Sequence, residues 1–184
     1  DGSYYFPGND PSWHVVVGNG FGGNLRWQPV FNYVAEGECG NNLIWRLTDT
    51  GILELEGDGP MHNYEAGTAP WYGYADQIQT VNLAGVSVVG AYAFYGCRNL
   101  MSVSSWGGIL AYGPYSFYGC RNLRNVMESP PLMGIKEYAF AGCSGLGYFP
   151  FTGNLRDIGE YAFEGCSGLS GIHLPDTVNS IGQY

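Results

Sequence analysis

The sequence predicts a repeat solenoid: a right-handed stack of 23-residue units with parallel β-strands on one face, short helical or 3₁₀ turns on the other, and a β-hairpin cap in front. Three observations predict it. Cys97, Cys120, Cys143 and Cys166 stand 23 residues apart, and each closes a common phrase, AYAFYGC, PYSFYGC, EYAFAGC or EYAFEGC. After each cysteine an apolar residue recurs at the third position, with alternating apolar positions beyond it. Upstream lie two more alternating runs joined by a turn. A fixed period of this size marks supersecondary units that cannot bury an apolar face alone and must stack on one another.

Residues 1–38 are rich in glycine and aromatics and read as an arm or extra cap, with one strand-like run at Trp13–Val17. The stretch GNGFGGN at 18–24 reads as a loop, because no helix pattern follows it and it lacks the lysine and hydroxyl of a phosphate loop. Residues 39–75 read as the cap. Leu43, Trp45 and Leu47 alternate, TDTG supplies a turn, and Leu53 and Leu55 alternate again, which is a β-hairpin with one apolar face to lay over the open end of a core.

Residues 76–184 are the repeats. Their strands are expected over Leu100, Val103, Ser105; over Leu123, Val126, Glu128; over Leu146, Phe149, Phe151; and over Leu169, Ile172, Leu174, with an upstream copy at Ile78, Val81, Leu83. Five strands are implied, each with alternate side chains inward. Ser105 and Glu128 break the apolar pattern and imply a frayed or exposed strand end. Apolar pairs, Leu132 with Ile135, Leu155 with Ile158 and Val178 with Ile181, line the lower side of the core. The return carries Tyr92 with Phe94, Tyr115 with Phe117, Tyr138 with Phe140 and Tyr161 with Phe163, where a helical or 3₁₀ turn is expected. The glycine before each cysteine lets the chain bend back without a Cβ penalty.

The combination of AFxGCxxL with IGEYAF and LPDTVNSIG resembles the BspA-like leucine-rich repeats (LRRs) of secreted and surface proteins, over Ile78–Tyr184. CGNNLIWRLTDTGILELEGDGPM followed by APWYGY is similar to the segment that precedes such repeats. The resemblance implies a secreted or cell-surface scaffold for adhesion or for protein or glycan interaction. The chain begins at Asp1 rather than Met, which fits a removed signal peptide or a piece of a longer protein. Tyr184 aligns with Tyr161, so the last unit is incomplete, and further repeats or another subunit are expected over its apolar face.

Of the 184 residues 45% are hydrophobic and 12% charged, which argues for an ordered body, and no apolar run reaches the length of a membrane span. Sixteen acidic residues face seven basic ones, and a net charge of −9 repels phosphate backbones, so nucleic acid is disfavoured as a partner.

Adjacent rungs hold their cysteines about 4.8 Å apart, too far and badly aimed for disulfides. The structural ladder is therefore Cys97, Cys120, Cys143 and Cys166 with Phe94, Phe117, Phe140 and Phe163, the thiols acting as small buried hydrophobes, and no metal is expected. Cys39 is a fifth thiol, placed in the cap. His14, His62 and His173 are scattered. Glu54, Glu56 and Asp58 alternate on the solvent side of the hairpin, and solvation is the plainer reading than calcium because no calcium-loop phrase is present. With no nucleophile motif, P-loop or dinucleotide fingerprint, neither catalysis nor a cofactor is expected.

The candidate binding face is the outward column of the strands, Thr80, Asn82, Ser102, Ser104, Asn125, Met127, Tyr148, Pro150, Gly171 and His173, where residues vary while inward positions repeat. Tyr148 and Trp106 are suited to stack on a sugar or anchor a protein. The expected partner is a protein or glycan ligand. The alternative is further copies of the chain, stacking end to end into filaments.

Overall fold

The computed structural model describes residues 13–16, 26–29, 32–127 and 131–183. The chain forms two compact units, Asp1–Asn32 and Tyr33–Tyr184. In the first, β1 (Trp13–Val16) pairs antiparallel with β2 (Arg26–Pro29). β1 is the strand expected over Trp13–Val17. The side chain of His14 and the stretch 18–24 lie outside the described residues.

The second unit opens with an antiparallel sheet of β3 (Tyr33–Gly40), β4 (Leu43–Thr48) and β5 (Ile52–Pro60). The expected hairpin is β4–β5. Its inward residues Leu43, Trp45, Leu47, Leu53 and Leu55 are all buried. β3 adds a third strand that begins within the segment read as an arm and carries buried Cys39 at its end. β5 has a double role: antiparallel to β4 on one edge, it is parallel on the other to β6 (Thr80–Val89), with Leu53 opposite Val81 and Leu55 opposite Leu83. The cap is thereby also the first rung.

Between β5 and β6, Trp71 and a short 3₁₀ helix, Tyr72–Tyr74, repeat the pattern of Phe94-Tyr95-Gly96 with tryptophan in place of phenylalanine. Trp71 is fully buried and stacks on Phe94 at 5.5 Å. Its Nε1 donates to the Ala93 carbonyl (2.8 Å), and Trp45 and Tyr64 meet it edge-on at 5.7 and 5.8 Å. From there an aromatic column runs through the core: Phe94 to Phe117 at 4.9 Å, Phe117 to Phe140 at 5.1 Å and Phe140 to Phe163 at 5.5 Å, all nearly parallel. Each such pair adds about 0.5–1.5 kcal/mol beyond its area burial.

The rungs follow as β7 (Ser102–Trp106), β8 (Ala111–Tyr112), β9 (Asn125–Met127), β10 (Gly134–Ile135), β11 (Asp157–Ile158) and β12 (Ser180–Ile181), all parallel. Two ladders result. One joins β5, β6, β7 and β9. The other joins the end of β6, at Val88 and Val89, to β8, β10, β11 and β12, so the positions read only as lower core lining carry the longer ladder.

The sheet face departs from expectation. Five strands were implied after the cap, but the ladder stops at β9, and the segments at Leu146–Phe151 and Leu169–Leu174 form no strand. Pro150 has no N–H to give a ladder, and Gly171 sits at φ 69°, outside the strand region. Ser105 is also corrected: instead of fraying, it lies inside β7 opposite Leu83 and is buried. The same rung carries Tyr112 where neighbouring rungs have Val89 and Ile135. The large ring meets Phe140 edge-on at 4.9 Å. Glu128 lies outside the described residues.

The return segments are turns rather than helices. Alternate N–H groups go to different places: Tyr95 and Cys97 donate to Tyr92 and Phe94 three residues back, whereas Tyr92, Phe94 and Gly96 donate to Pro114, Ser116 and Tyr118 of the next rung. A helix would keep all of them within the segment. The alternation requires left-handed backbone at two places per turn. One is the glycine before each cysteine, at φ 70° to 76°; the other is a tyrosine, Tyr92, Tyr115, Tyr138 or Tyr161, at φ 54° to 56°. A non-glycine residue in that region costs about 1–2 kcal/mol. Stacking of the four rings at 4.7–4.8 Å offsets it.

Most rungs repeat at 23 residues, but β6 and β7 pair at 22, Ala84 opposite Trp106, before Val88 pairs with Ala111 at 23. Gly107 and Gly108, at φ 136° and 79°, take up the extra residue between these two ladders.

If the tyrosine stack offsets a strained backbone, Tyr138→Ala keeps the strain and loses the ring, while Tyr138→Gly loses both. Equilibrium denaturation should find both variants less stable than the wild type, with glycine ahead of alanine by about 1 kcal/mol; alanine equal to or above glycine contradicts the account.

Candidate binding face

The cysteine column stands behind the face and supports it. Cys97, Cys120 and Cys143 are buried and Cys166 half-buried, and all are free thiols. Each of the last three donates its S–H to a phenylalanine carbonyl of the rung before: Cys120 to Phe94, Cys143 to Phe117 and Cys166 to Phe140, at 3.2 Å. Burial pushes Cys97 up to about 12, with Asp76 adding to the shift, and Cys166 up to about 11. Burial also raises Cys120 and Cys143, helped by neighbouring thiols. Thiols held protonated are poor nucleophiles and poor metal ligands. Cys39, in the cap, is likewise raised to about 12 by burial.

On the outward side, register assembles three rows. Glu36, Arg46, Glu54, Asn82, Ser104 and Met127 stand opposite one another across six strands. Beside them run Glu38, Ile44, Glu56, Ala84 and Trp106, and then Ile52, Thr80, Ser102 and Asn125. The ten residues expected to face outward fall into two groups. Thr80, Asn82 and Ser102 are half-buried and Ser104 is buried, and they satisfy one another: Ser104 Oγ donates to Asn82 Oδ1 at 2.7 Å, and the Thr80 and Ser102 hydroxyls lie 3.3 Å apart. Asn125, Met127, Tyr148, Gly171 and His173 are exposed and Pro150 half-exposed.

Where the ladder ends after β9, the surface opens. A groove of about 560 Å³ is lined by Ser102, Asn125, Val126, Met127, Tyr148 and Pro150. A smaller cleft of about 210 Å³ lies on the other side of Tyr148, reaching Phe151, Leu169 and His173. Tyr148 is 69% exposed, Met127 59% and Trp106 70%, large apolar groups held on fixed backbone.

The cap half of the face did not emerge from the sequence as part of a site. Arg46 bridges Glu36 and Glu56, at 3.4 Å to each, and lies over the Tyr33 ring at 5.5 Å. Tyr33 OH donates to Glu54 at 2.8 Å; burial first and that bond second raise its pKa. The signal was present as the alternation of Glu36 with Glu38 and Glu54 with Glu56, but only strand register joins these pairs to the repeats. Among the described residues no group of three or more His, Cys, Asp or Glu side chains is placed to hold a metal. His173 Nδ1 lies 3.2 Å from the Gly171 carbonyl oxygen.

The BspA type leucine rich repeat region matches residues 71–184, in six copies. The chain belongs to that family. The match begins at Trp71, the residue that heads the aromatic column. Solved structures agree on the fold. A leucine-rich repeat protein from Eubacterium ventriosum ATCC 27560 is 26% identical with a TM-score of 0.68, over 80% of this chain and 40% of that one. One from Bacteroides ovatus ATCC 8483 is 22% identical with a TM-score of 0.54, over 78% and 36%. A leucine rich cell surface protein from Faecalibacterium prausnitzii A2-165 is 17% identical with a TM-score of 0.58, over 76% and 42%. The chain thus spans about two fifths of the length of each of these proteins. No curated protein matches the sequence.

For this BspA-type stack, the buried thiol column gives a chemical expectation. A thiol reagent at pH 8 should label the native chain slowly, with Cys166 first, and should label every cysteine at once in denaturant. Fast native labelling of Cys120 or Cys143 would contradict their placement.

Proposed function

We propose that the chain is a non-catalytic part of a secreted or cell-surface protein, and that its sheet face engages a protein or glycan ligand. Membership of the BspA-type family supports the surface setting. No helix of the described residues is long and apolar enough to cross a membrane. The observation that carries the binding reading is the set of large exposed apolar groups: Trp106 and Met127, projecting from parallel-paired strands, and Tyr148, in the unpaired segment beside buried Phe149. Side chains of this kind on rigid elements are the usual anchors of interfaces. The acidic balance of the chain counts against nucleic acid.

End-to-end association of copies into filaments is the second reading. Light scattering across a concentration series separates the two: a concentration-independent monomer removes the filament reading.

The binding reading is tested with beads coated with the chain and laid on immobilised matrix proteins and glycans. Trp106→Ala and Tyr148→Ala should each reduce retention at least severalfold with little change in melting temperature, because both side chains are exposed. Retention unchanged in both variants would move the site off this face.

A further inference from the structure

We infer that the sheet face takes an extended basic polypeptide segment carrying an apolar anchor, with its basic side chains over the cap and the anchor against Met127 and Tyr148. This rests on the reading of the face as a binding surface and names its partner. The charge distribution carries it. At the cap end, Glu36, Glu38, Glu54 and Glu56 face out with Arg46 among them, four carboxylates against one guanidinium. At the other end stand Met127, Tyr148 and Trp106.

Between the two ends the side chains are short: Thr80, Asn82, Ala84, Ser102 and Ser104. They form a trough floor that a backbone can approach. The floor is partly self-satisfied, through the Ser104–Asn82 and Thr80–Ser102 contacts, with Asn125 exposed at its margin. A glycan needs an array of directed hydrogen-bonding groups, and two of the hydroxyl donors of this floor are spent within it; a peptide held at its two ends by charge and by an apolar anchor needs few.

The register fixes a spacing. From Glu54 to Met127 the row crosses β5, β6, β7 and β9, three strand separations of about 4.8 Å, or about 14 Å, which an extended chain covers in about four residues. The ligand therefore carries its basic residue about four positions from its aromatic or aliphatic anchor.

The test uses fluorescein-labelled Gly/Ser peptides. One carries an Arg pair four residues from a Trp, a second has the Trp adjacent to the Arg pair, and a third has a Glu pair in place of Arg; a panel of soluble oligosaccharides is measured in parallel. Anisotropy should show the first peptide binding with a dissociation constant below about 1 mM, severalfold tighter than the other two, and weakening as salt rises from about 50 to 200 mM. Glu54→Gln with Glu56→Gln should weaken it severalfold and flatten the salt dependence. Tyr148→Ala should weaken it and leave the salt slope unchanged. Equal binding of the Arg and Glu peptides, or no peptide binding, overturns the inference. Should an oligosaccharide bind the wild type and not Tyr148→Ala, the basic-segment inference falls while the binding face stands. Binding of the Arg peptide that survives both sets of substitutions places it elsewhere, and both readings fall.

Discussion

Each rung of this protein is completed by the next one. The N–H groups of Tyr92, Phe94 and Gly96 have acceptors only because Pro114, Ser116 and Tyr118 lie one rung on, and the same holds for Tyr115, Phe117 and Gly119 against Glu137, Ala139 and Ala141. Hydrogen bonds of this kind hold like residues above like at a separation close to that of paired strands, and the side-chain columns follow from it. Flat rings of one type stack face to face at 4.7–5.5 Å, which is why phenylalanine and tyrosine recur at fixed places. A cysteine beside them is small enough to fit, and its S–H shares a phenylalanine carbonyl that already accepts a backbone N–H of its own turn. The strained tyrosines are tolerated for the same reason: the backbone conformation that makes them left-handed also turns their neighbours' N–H groups along the stack.

Much of this was legible. The period, the phenylalanine and cysteine columns and the inward residues of the cap hairpin all follow from spacing and from alternation, because both report which side chains must be buried. Less was visible where pairing rather than burial decides. Leu146 and Phe149 are buried as the pattern asks, yet Pro150 leaves their segment outside the sheet-face ladder, since an apolar pattern is indifferent to a missing N–H. Ser105 looked like a frayed end because polarity was read alone; pairing opposite Leu83 inside β7 buries it. The left-handed tyrosines had no signal in composition, as tyrosine is not a residue that favours that region. The cap's contribution to the face was hidden because antiparallel register, not sequence proximity, sets Glu36 beside Arg46 and Arg46 beside Glu54.

The face is consequently uneven along its length. Its cap end is polar and cross-linked by Arg46, its middle is short-chained and internally hydrogen-bonded, and its far end, where the strands stop pairing, offers aromatic and thioether groups beside a groove. Inward positions are constrained alike in every rung, whereas each outward residue answers only to its immediate neighbours. Such a surface can change its chemistry rung by rung while the stack behind it stays the same.

The glycine pair at 107 and 108 bears on how such a chain tolerates changes of length. A residue gained within a ladder would slide a phenylalanine column over its neighbours and cost every bond beyond that point. Between Trp106 and Ala111 the chain carries one residue more than between Ala84 and Val88, the next rung keeps the longer spacing, and the columns on either side remain aligned, because left-handed backbone at Gly107–Gly108 absorbs the offset from the shorter β6 rung. Loops and insertions in this architecture belong at such glycine joints, and whole rungs elsewhere; a chain lengthened by any other amount would lose its registration.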